Sequence, residues 1–378
     1  MAITSFSSTT ETPKPKAGAR RAGTKDLTVA GKKGARLRYV SDAAPGFRRT
    51  ERKNRVIYTR ANGSVIRDKS VIARLRSLAI PPAWTDVWIC PSAAGHLQAT
   101  GRDARGRKQY IYHSAFREIR DQAKYEHLIE FAQALPMVRQ RVKRHMDLKG
   151  LSRRRVLATI VYLLETTLIR VGNADYAKKN SSYGVTTLRN PHVRVNGAEI
   201  LFRFRGKTGK TWRVKLKDRR VAKVLKACQE LPGQQLFQYE DAQGRVQTVG
   251  STDVNRYLRE ITGRDITAKD FRTWAGTLLA ALELAALPPF ERPTEAKRNI
   301  KLVAKGVAER LGNTPTICLN CYIHPGILQL YSAGLLKLKT PTAKATKEID
   351  ADLISTEELA VIEILRRAAR AAEIAAPT

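Results

Sequence analysis

Hydrophobic and polar residues alternate over short runs between about residues 34 and 115, the pattern of half-buried β-strands. Glycines interrupt these runs, and Asn62-Gly63 between two β-prone runs is typical of a hairpin turn. A short helix is predicted around residues 70–78, ahead of Ile80-Pro81-Pro82. We therefore expect residues 34–115 to form a small β-rich N-terminal domain.

Beyond His113 the hydrophobic positions follow helical spacing, so helices are expected to dominate residues 116–340. The first predicted helix ends at Pro136, and the second is an apolar helix that continues to Gly172. A predicted β meander and further helices follow. The strands are HVRV, EILFRFR and TWRVKLK, and the later helices are STDVNRYLREITG, TAKDFRTWAGTLLAALELAAL and TEAKRNIKLVAKGVAERLG. The predicted fold class is α+β, in which the larger domain is mainly α-helical and contains a three-stranded β meander.

The two ends of the chain differ from this pattern. Residues 1–33 are rich in Pro, Gly, Ala, Lys, Ser and Thr without a hydrophobic period, which predicts a disordered basic arm. Residues 341–378 read as a linker and one helix, with Ser355 and Glu358 as a capping box. The sequence shows neither an apolar signal core nor a run of about 18 apolar residues, so we expect a cytoplasmic protein with reduced cysteines.

Charge narrows the possible functions. Hydrophobic residues make up 43% of the 378 residues, enough for a real core. Lys and Arg total 69 against 34 Asp and Glu, a net charge of +35. Such an excess attracts polyanions, and nucleic acid is the first candidate because dense cations neutralise phosphates and release counterions. An anionic membrane surface is the alternative.

The pair Cys318-x-x-Cys321 offers half of a possible metal site. A structural zinc ion needs four ligands, and Cys90 and Cys228 are isolated along the chain. The pattern therefore disfavours metal binding, and we predict no metal site and no cofactor.

The alternative chemistry centres on Tyr322, because a phenol becomes a nucleophile only where cations stabilise the phenolate. Three cations stand in motif-like settings, and each has an ordinary explanation when taken alone. Arg170 would complement the dipole at the end of an apolar helix. Lys207 would solubilise a hairpin tip. Arg272, predicted in the first turn of a helix, would be a solvated side chain that pairs with Asp270.

Taken in order, these residues resemble the type IB DNA topoisomerases, particularly the compact viral and bacterial branch. The resemblance covers about Leu37 to Leu338. Its segments are LIRVGN with Arg170, GKTGK with Lys207, KDFRTWAGT with Arg272, and LGNTPTICLNCYIHP with Asn313 and Tyr322. A further segment, GHLQATGRDARGRKQYIYH, is similar to the DNA-contacting strands of the family's N-terminal domain. The family's fold implies that residues 116–340 are the catalytic domain and that the two domains form a clamp around DNA.

This resemblance implies relaxation of supercoiled DNA by transient single-strand cleavage and religation through a 3′-phosphotyrosyl intermediate, without ATP or metal. Tyr322 would be the nucleophile, and Arg170, Arg272 and Asn313 would contact the phosphate. Lys207 would be the general acid, with Arg170 as a possible relay. Many members have His nine residues before the tyrosine, where this chain has Asn313, which donates a neutral hydrogen bond instead.

The resemblance also suggests DNA contacts at Gln109, Tyr110, Tyr112 and Tyr176. The ordinary explanation of Tyr110 and Tyr112 is that alternating residues share one face of a strand. The implied partner is double-stranded DNA, acted on by a nucleoid-associated monomer that does not bind membranes. No protein partner can be inferred.

Two other functions stay open. Tyrosine site-specific recombinases share the Arg, Lys and Tyr chemistry, but they usually carry H-x-x-R at the second arginine, and Lys269 stands here in the place of that His. A non-catalytic nucleoid DNA-binding protein would fit the +35 charge equally well, yet it gives Tyr322 no role.

Overall fold

A computed structural model describes residues 26–28, 36–52, 55–338 and 353–374. The chain divides into two compact units, Met1–Gln122 and Ala123–Thr378. Most of the predicted disordered arm and of the predicted linker lies outside the described residues. Within the arm, however, a short strand at Asp26–Thr28 (β1) pairs antiparallel with Arg36–Arg38 (β2). The helices of the described residues include none both long and apolar enough to cross a bilayer.

The first unit is built on a five-stranded antiparallel sheet with strand order β4-β3-β5-β6-β7 among its described residues. Its strands are β3 (Phe47–Arg52), β4 (Arg55–Thr59), β5 (Thr85–Ile89), β6 (Leu97–Arg102) and β7 (Lys108–Tyr112). Helix α1 (Lys69–Ser77) starts at Asp68, whose side chain accepts from two backbone amides of the first turn. Leu75 of α1 packs with Phe47, Tyr58 and Ile89 in this unit's core.

The turn at Asn62-Gly63 forms as predicted, but it does not lead into a second strand. Gly63 has a φ of +83°, a conformation that glycine adopts without a steric penalty. After the turn, only an isolated bridge from Val65 to Thr59 continues the pairing. The strand partner of β4 is instead β3, on its N-terminal side.

The second unit is mainly helical and contains the predicted meander, an antiparallel sheet with strand order β10-β9-β8. This confirms the α+β class. The strands of the unit are β8 (Val193–Asn196), β9 (Glu199–Arg205), β10 (Thr211–Lys217), β11 (Gln238–Glu240) and β12 (Val246–Thr248). The helices are α2 (Ser114–Met146, beginning in the first unit), α3 (Arg153–Thr167), α4 (Ala174–Asn180), α5 (Arg219–Glu230), α6 (Ser251–Thr262), α7 (Ala268–Ala285), α8 (Pro293–Leu311), α9 (Pro315–Cys321), α10 (Pro325–Ser332) and α11 (Thr356–Ile374). Helix α5 and the β11–β12 hairpin were not predicted.

The prediction that the first long helix ends at Pro136 is wrong, because α2 continues through it to Met146. An interior proline costs a helix about 3 kcal/mol. Beyond the proline, Val138, Val142 and Met146 are buried in the same core as Leu135. Burying each such side chain contributes about 1.5–3 kcal/mol, which outweighs the cost.

The apolar helix α3 ends before Gly172. Its C-cap is Leu168, which adopts the left-handed conformation with φ 56° and ψ 16°. Arg170 therefore lies beyond the helix rather than in its last turn, and the dipole explanation of this arginine does not apply.

Helix α11 belongs to the core of the second unit, where Val361 and Leu365 are buried. Ser355 and Glu358 form the predicted capping box, in which the backbone amide of each donates to the side chain of the other. Glu358 also accepts two hydrogen bonds of 2.8 Å from the Arg139 guanidinium and one of 3.1 Å from Trp274 Nε1. The helix is thereby fixed to α2 and α7.

Candidate active site

Arg170 lies in the short segment between α3 and α4, and backbone hydrogen bonds hold that segment in place. The Val185 amide donates to Arg170 O at 2.8 Å, and the Thr186 amide donates to Val171 O at 2.7 Å. Gly172 has a φ of +101°, and a Cβ there would lie 2.9 Å from two threonine hydroxyls. A glycine is therefore required at this place, which gives the LIRVGN segment a structural reason for its Gly.

Arg272 projects from α7 and is only 4% exposed. Its Nη1 donates to Leu168 O, and its Nη2 donates to Leu311 O at 2.7 Å. The alternative of a solvated arginine that pairs with Asp270 is wrong, because Asp270 caps the helix at Thr267 and contacts His127. Arg272 thus joins the end of α3 to the end of α8.

Asn313 follows the left-handed Gly312 that ends α8. Arg170 Nη2 donates to the Asn313 side-chain Oδ1 and, at 3.1 Å, to Gly312 O. With Oδ1 accepting from Arg170, the remaining polar group of the Asn313 side chain is the amide Nδ2, which is a donor. Arg272 thus binds the last residue of α8, and Arg170 binds the two residues that follow it.

Tyr322 lies at the C-terminal end of α9 and is half-buried. Its amide donates to Cys318 O at 2.9 Å. The Arg272 guanidinium carbon is 5.3 Å from the centroid of the Tyr322 ring. The structure thus brings Arg170, Arg272, Asn313 and Tyr322 into one cluster within the second unit.

The cluster is strongly cationic and contains unsatisfied donors. Burial, assisted by the charge of Arg272, lowers the pKa of Arg170 to about 10. Burial also lowers the pKa of Arg272, whereas Tyr322 acts in the opposite direction. Arg272 Nε and Asn313 Nδ2 are buried without a hydrogen-bond acceptor of normal geometry, although the Tyr322 hydroxyl lies beside the Arg272 guanidinium and the weakly accepting Cys318 sulfur lies beside the Asn313 amide. An anion with several oxygen acceptors would satisfy both donors.

Lys207 is exposed at the tip of the hairpin between β9 and β10, as predicted from its turn. Its Nζ lies over the Tyr176 ring, 5.7 Å from the centroid. Trp212, in β10 just after the turn, contacts the Asn313 segment, because a Cβ on Gly312 would lie 2.4 Å from the Trp212 ring. The hairpin is thus anchored beside the cluster while its lysine lies at the surface.

The two cysteines near Tyr322 differ in environment. Cys318 is buried, and this burial raises the pKa of its thiol even though Arg272 and the Asn313 amide oppose the shift. Cys321 is exposed. Throughout the described part of the chain, no group of three or more His, Cys, Asp or Glu side chains is arranged to hold a metal ion.

The predicted DNA contacts of the first unit lie on β7. Tyr110 and Tyr112 stack on one strand face with centroids 6.1 Å apart, and Tyr110 is 47% exposed. Gln109 Nε2 donates to Asp103 at 2.9 Å. Both the DNA-contact prediction and the strand-face explanation fit this arrangement.

Two residues of α7 that touch the tyrosine segment were not singled out from the sequence. Gly276 faces the Tyr322 backbone, and Thr277 is hydrogen-bonded to it. A glycine inside a strongly predicted helix was the available signal, because it weakens the helix unless another backbone must approach closely.

The chain is similar to known proteins over most of its length. The family described as eukaryotic DNA topoisomerase I, catalytic core, matches residues 113–349, and the bacterial DNA topoisomerase IB N-terminal domain matches residues 55–103. DNA topoisomerase 1B of Acanthamoeba polyphaga mimivirus is 32% identical over 268 residues, which cover 69% of this chain and 80% of the viral protein. DNA topoisomerase 1B of vaccinia virus (strain Copenhagen) is 23% identical over 265 residues, 68% of this chain and 80% of that protein.

Proposed function

Since the chain belongs to the type IB DNA topoisomerase family, we propose that it relaxes supercoiled DNA through a 3′-phosphotyrosyl intermediate formed on Tyr322. The proposal is carried by one observation, the convergence of Arg170, Arg272 and Asn313 around this phenol. The net charge of +35 suits a protein that binds a duplex through its phosphates.

In the cleavage step, Tyr322 Oη attacks the phosphorus of one strand and the bond to the 5′ oxygen breaks. The phenol loses its proton and the departing oxygen gains one. One phosphodiester is thereby exchanged for a phosphotyrosine ester and a free 5′ hydroxyl, with no change of oxidation state. The phosphotyrosine bond is itself a phosphate ester, so no ester bond is lost in the exchange. The 5′ hydroxyl can therefore reverse the reaction after the strand has rotated, and ATP is not needed.

Arginines supply the charge that this step requires. Negative charge grows on the non-bridging oxygens, where other enzymes place divalent ions. Two arginine forks with fixed geometry offer bidentate contacts to those oxygens, and the buried Asn313 amide adds a neutral one. With its pKa at about 10, Arg170 stays charged at neutral pH. We therefore propose metal-independent catalysis.

The leaving alkoxide is a strong base and needs a proton donor. Lys207 has an ammonium group on an exposed hairpin tip, and Trp212, just after that turn, contacts the Asn313 segment. We assign it the role of general acid, with Arg170 as a relay to the leaving oxygen. Gln109, Tyr110, Tyr112 and Tyr176 are assigned to DNA contacts, and the proposed location is the cytoplasmic nucleoid.

The test is relaxation of a supercoiled plasmid in the presence of a chelator and without ATP, with denaturation to trap covalent protein–DNA adducts. Tyr322→Phe is expected to abolish both relaxation and the adduct. The matched control is Tyr331→Phe in the neighbouring helix α10, which removes a hydroxyl bonded to Asn299 of α8 and is expected to keep both. Relaxation by Tyr322→Phe, or a strict need for Mg²⁺ and ATP, would overturn the proposal.

A further inference from the structure

Helix α7 carries Arg272 and, one turn later, touches the backbone of Tyr322. A Cβ on Gly276 would lie 2.7 Å from Tyr322 O and 3.1 Å from Tyr322 Cβ. The first distance is too short for a real contact, so the two segments approach this closely because residue 276 has no side chain. The nucleophile's backbone is therefore packed directly on the helix that presents one of the arginines.

Thr277 adds two hydrogen bonds to this contact. Its hydroxyl donates to Tyr322 O at 3.2 Å and accepts from the His324 amide at 3.1 Å. Thr277 is completely buried, so water does not compete for these bonds. One hydroxyl thus holds the backbone on both sides of Ile323.

This use of a helical threonine differs from that of other buried threonines in the chain. Threonines inside helices commonly bond the carbonyl four residues earlier in their own helix. Thr159 in α3 and Thr262 in α6 do so, donating to Arg155 O at 2.9 Å and to Leu258 O at 2.7 Å. The Thr277 hydroxyl instead bonds a separate segment, the one that carries Tyr322.

We propose that Thr277 is a positioning residue for the cleavage reaction, fixing the Tyr322 backbone in register with Arg272. The inference rests on the proposed role of Tyr322 as nucleophile. The two groups that meet the phosphate, Tyr322 and Arg272, are then both held in position by the same helix, α7. The hydrogen bonds from the Tyr322 and Ile323 amides to Cys318 O fix the segment from the α9 side, and Thr277 fixes it from the other.

The expected effect follows from the geometry of in-line attack. A displacement of the nucleophile by about 1 Å can lower a reaction rate about 10²-fold. Thr277→Val keeps the volume but removes both hydrogen bonds, leaving Tyr322 O and the His324 amide without this partner. We expect it to slow covalent adduct formation by about 10- to 100-fold. Thr277→Ser keeps the hydroxyl and should restore most of the rate.

The experiment measures adduct formation in a single turnover at saturating protein, together with DNA affinity and Tm. Thr159→Val is the matched control, since Thr159 is equally buried and loses a hydrogen bond within its own helix. We expect both valine variants to lower Tm and to keep DNA affinity, while only Thr277→Val loses cleavage rate. If Thr277→Val does not fold, Thr277→Cys, with its weaker hydrogen bonds, replaces it and should show a smaller loss.

A wild-type cleavage rate in Thr277→Val, or in Thr277→Cys where that variant replaces it, overturns the inference, and so does an equal loss in Thr159→Val. Tyr322→Phe is measured in the same assay to separate the two proposals. An adduct formed by Tyr322→Phe defeats the proposed function itself. An inactive Tyr322→Phe beside a fully active Thr277 variant defeats only the positioning role.

Discussion

The arginine cluster and the lysine hairpin present their cations in opposite ways. Arg272 is 4% exposed and donates to two backbone carbonyls, and Arg170 is bound to Gly312 O and Asn313. Lys207 is exposed at a hairpin tip, with its ammonium over the Tyr176 ring. The first region fixes its charges in position, whereas the second leaves its charge on a flexible stem.

This difference matches what the two regions are proposed to do. Stabilising charge on a phosphate in the transition state requires donors that are already in place, because reorganising them would raise the barrier. Delivering a proton to a departing oxygen requires a group that can follow that oxygen. Burial and backbone contacts suit the first task, and exposure on a hairpin suits the second.

The strongest test of the arginine cluster is Arg272→Lys, which keeps the positive charge and removes the planar guanidinium group. A lysine ammonium is a single nitrogen and lacks the planar guanidinium in which two nitrogens bind Leu168 O and Leu311 O and a third, Nε, remains for a phosphate. We expect single-turnover cleavage to fall by about 10³- to 10⁵-fold, the range associated with an arginine on a transferring phosphoryl group. Arg310→Lys, at an exposed position of α8, is the control and should leave the rate unchanged. A wild-type rate in Arg272→Lys would show that fixed geometry is unimportant.

The lysine hairpin is tested by Lys207→Ala, which should slow cleavage by about 10²- to 10⁴-fold, as expected for loss of a general acid. The defect should largely disappear on DNA whose scissile 5′ oxygen is replaced by sulfur. A thiolate, with a pKa of about 8.5, leaves without needing a proton. Lys210→Ala, in the same hairpin, is the control. Failure of sulfur to restore Lys207→Ala would remove the general-acid role and leave only a DNA contact.

Glu358→Gln tests whether the contacts of α11 stabilise the unit that holds the arginine cluster. The quantity measured is the free energy of unfolding. Burial opposes ionisation of Glu358, but the hydrogen bonds and charge of Arg139 outweigh it and lower the pKa of this carboxyl. Its contribution is therefore present above the unfolded-state pKa and is lost as the pH falls through the lower folded-state pKa. We expect Glu358→Gln to lower the free energy of unfolding by about 2 kcal/mol at neutral pH and to flatten its decline in acid.

The control for this measurement is Glu363→Gln, which breaks an exposed ion pair with Arg367 on the same helix. Such pairs contribute about 0–1 kcal/mol. An equally small effect of both substitutions would mean that the buried contacts of Glu358 with Arg139 and Trp274 do not stabilise the second unit.

The smallest expected effect belongs to Tyr176→Leu, which removes the ring beneath Lys207. An exposed cation–π contact contributes about 0.5–1 kcal/mol, so cleavage should slow by about two- to fivefold. Tyr176→Phe keeps the ring and should keep the rate. If the ring acts by holding Lys207, the loss should vanish on the sulfur-containing substrate. A loss that persists there would assign Tyr176 to DNA contact alone.

Much of this arrangement could be predicted from the sequence, and the failures share a cause. The α+β class, the meander and the capped start of α7 follow from local patterns, and the order of the segments indicated the family. Spacing did not show that α2 would pass through Pro136, because burial of the residues beyond the proline decides that. Nor did it show that α3 would stop at Leu168, whose carbonyl accepts from Arg272 of a distant helix. The carbonyl partners of Arg272 and the bond from Thr277 to Tyr322 join distant parts of the chain, so no local pattern encodes them.

Helix α11 has a consequence for how the protein matures. Its residues follow Tyr322 in the chain, yet Glu358 binds Arg139 and Trp274 in the interior of the unit that holds Tyr322. During synthesis, the segments with Arg170, Lys207, Arg272 and Tyr322 all leave the ribosome before this helix does. A nascent or truncated chain would carry all four of these residues but lack the helix that completes the core around them, so the unit reaches its full set of buried contacts only after residue 374 has been added.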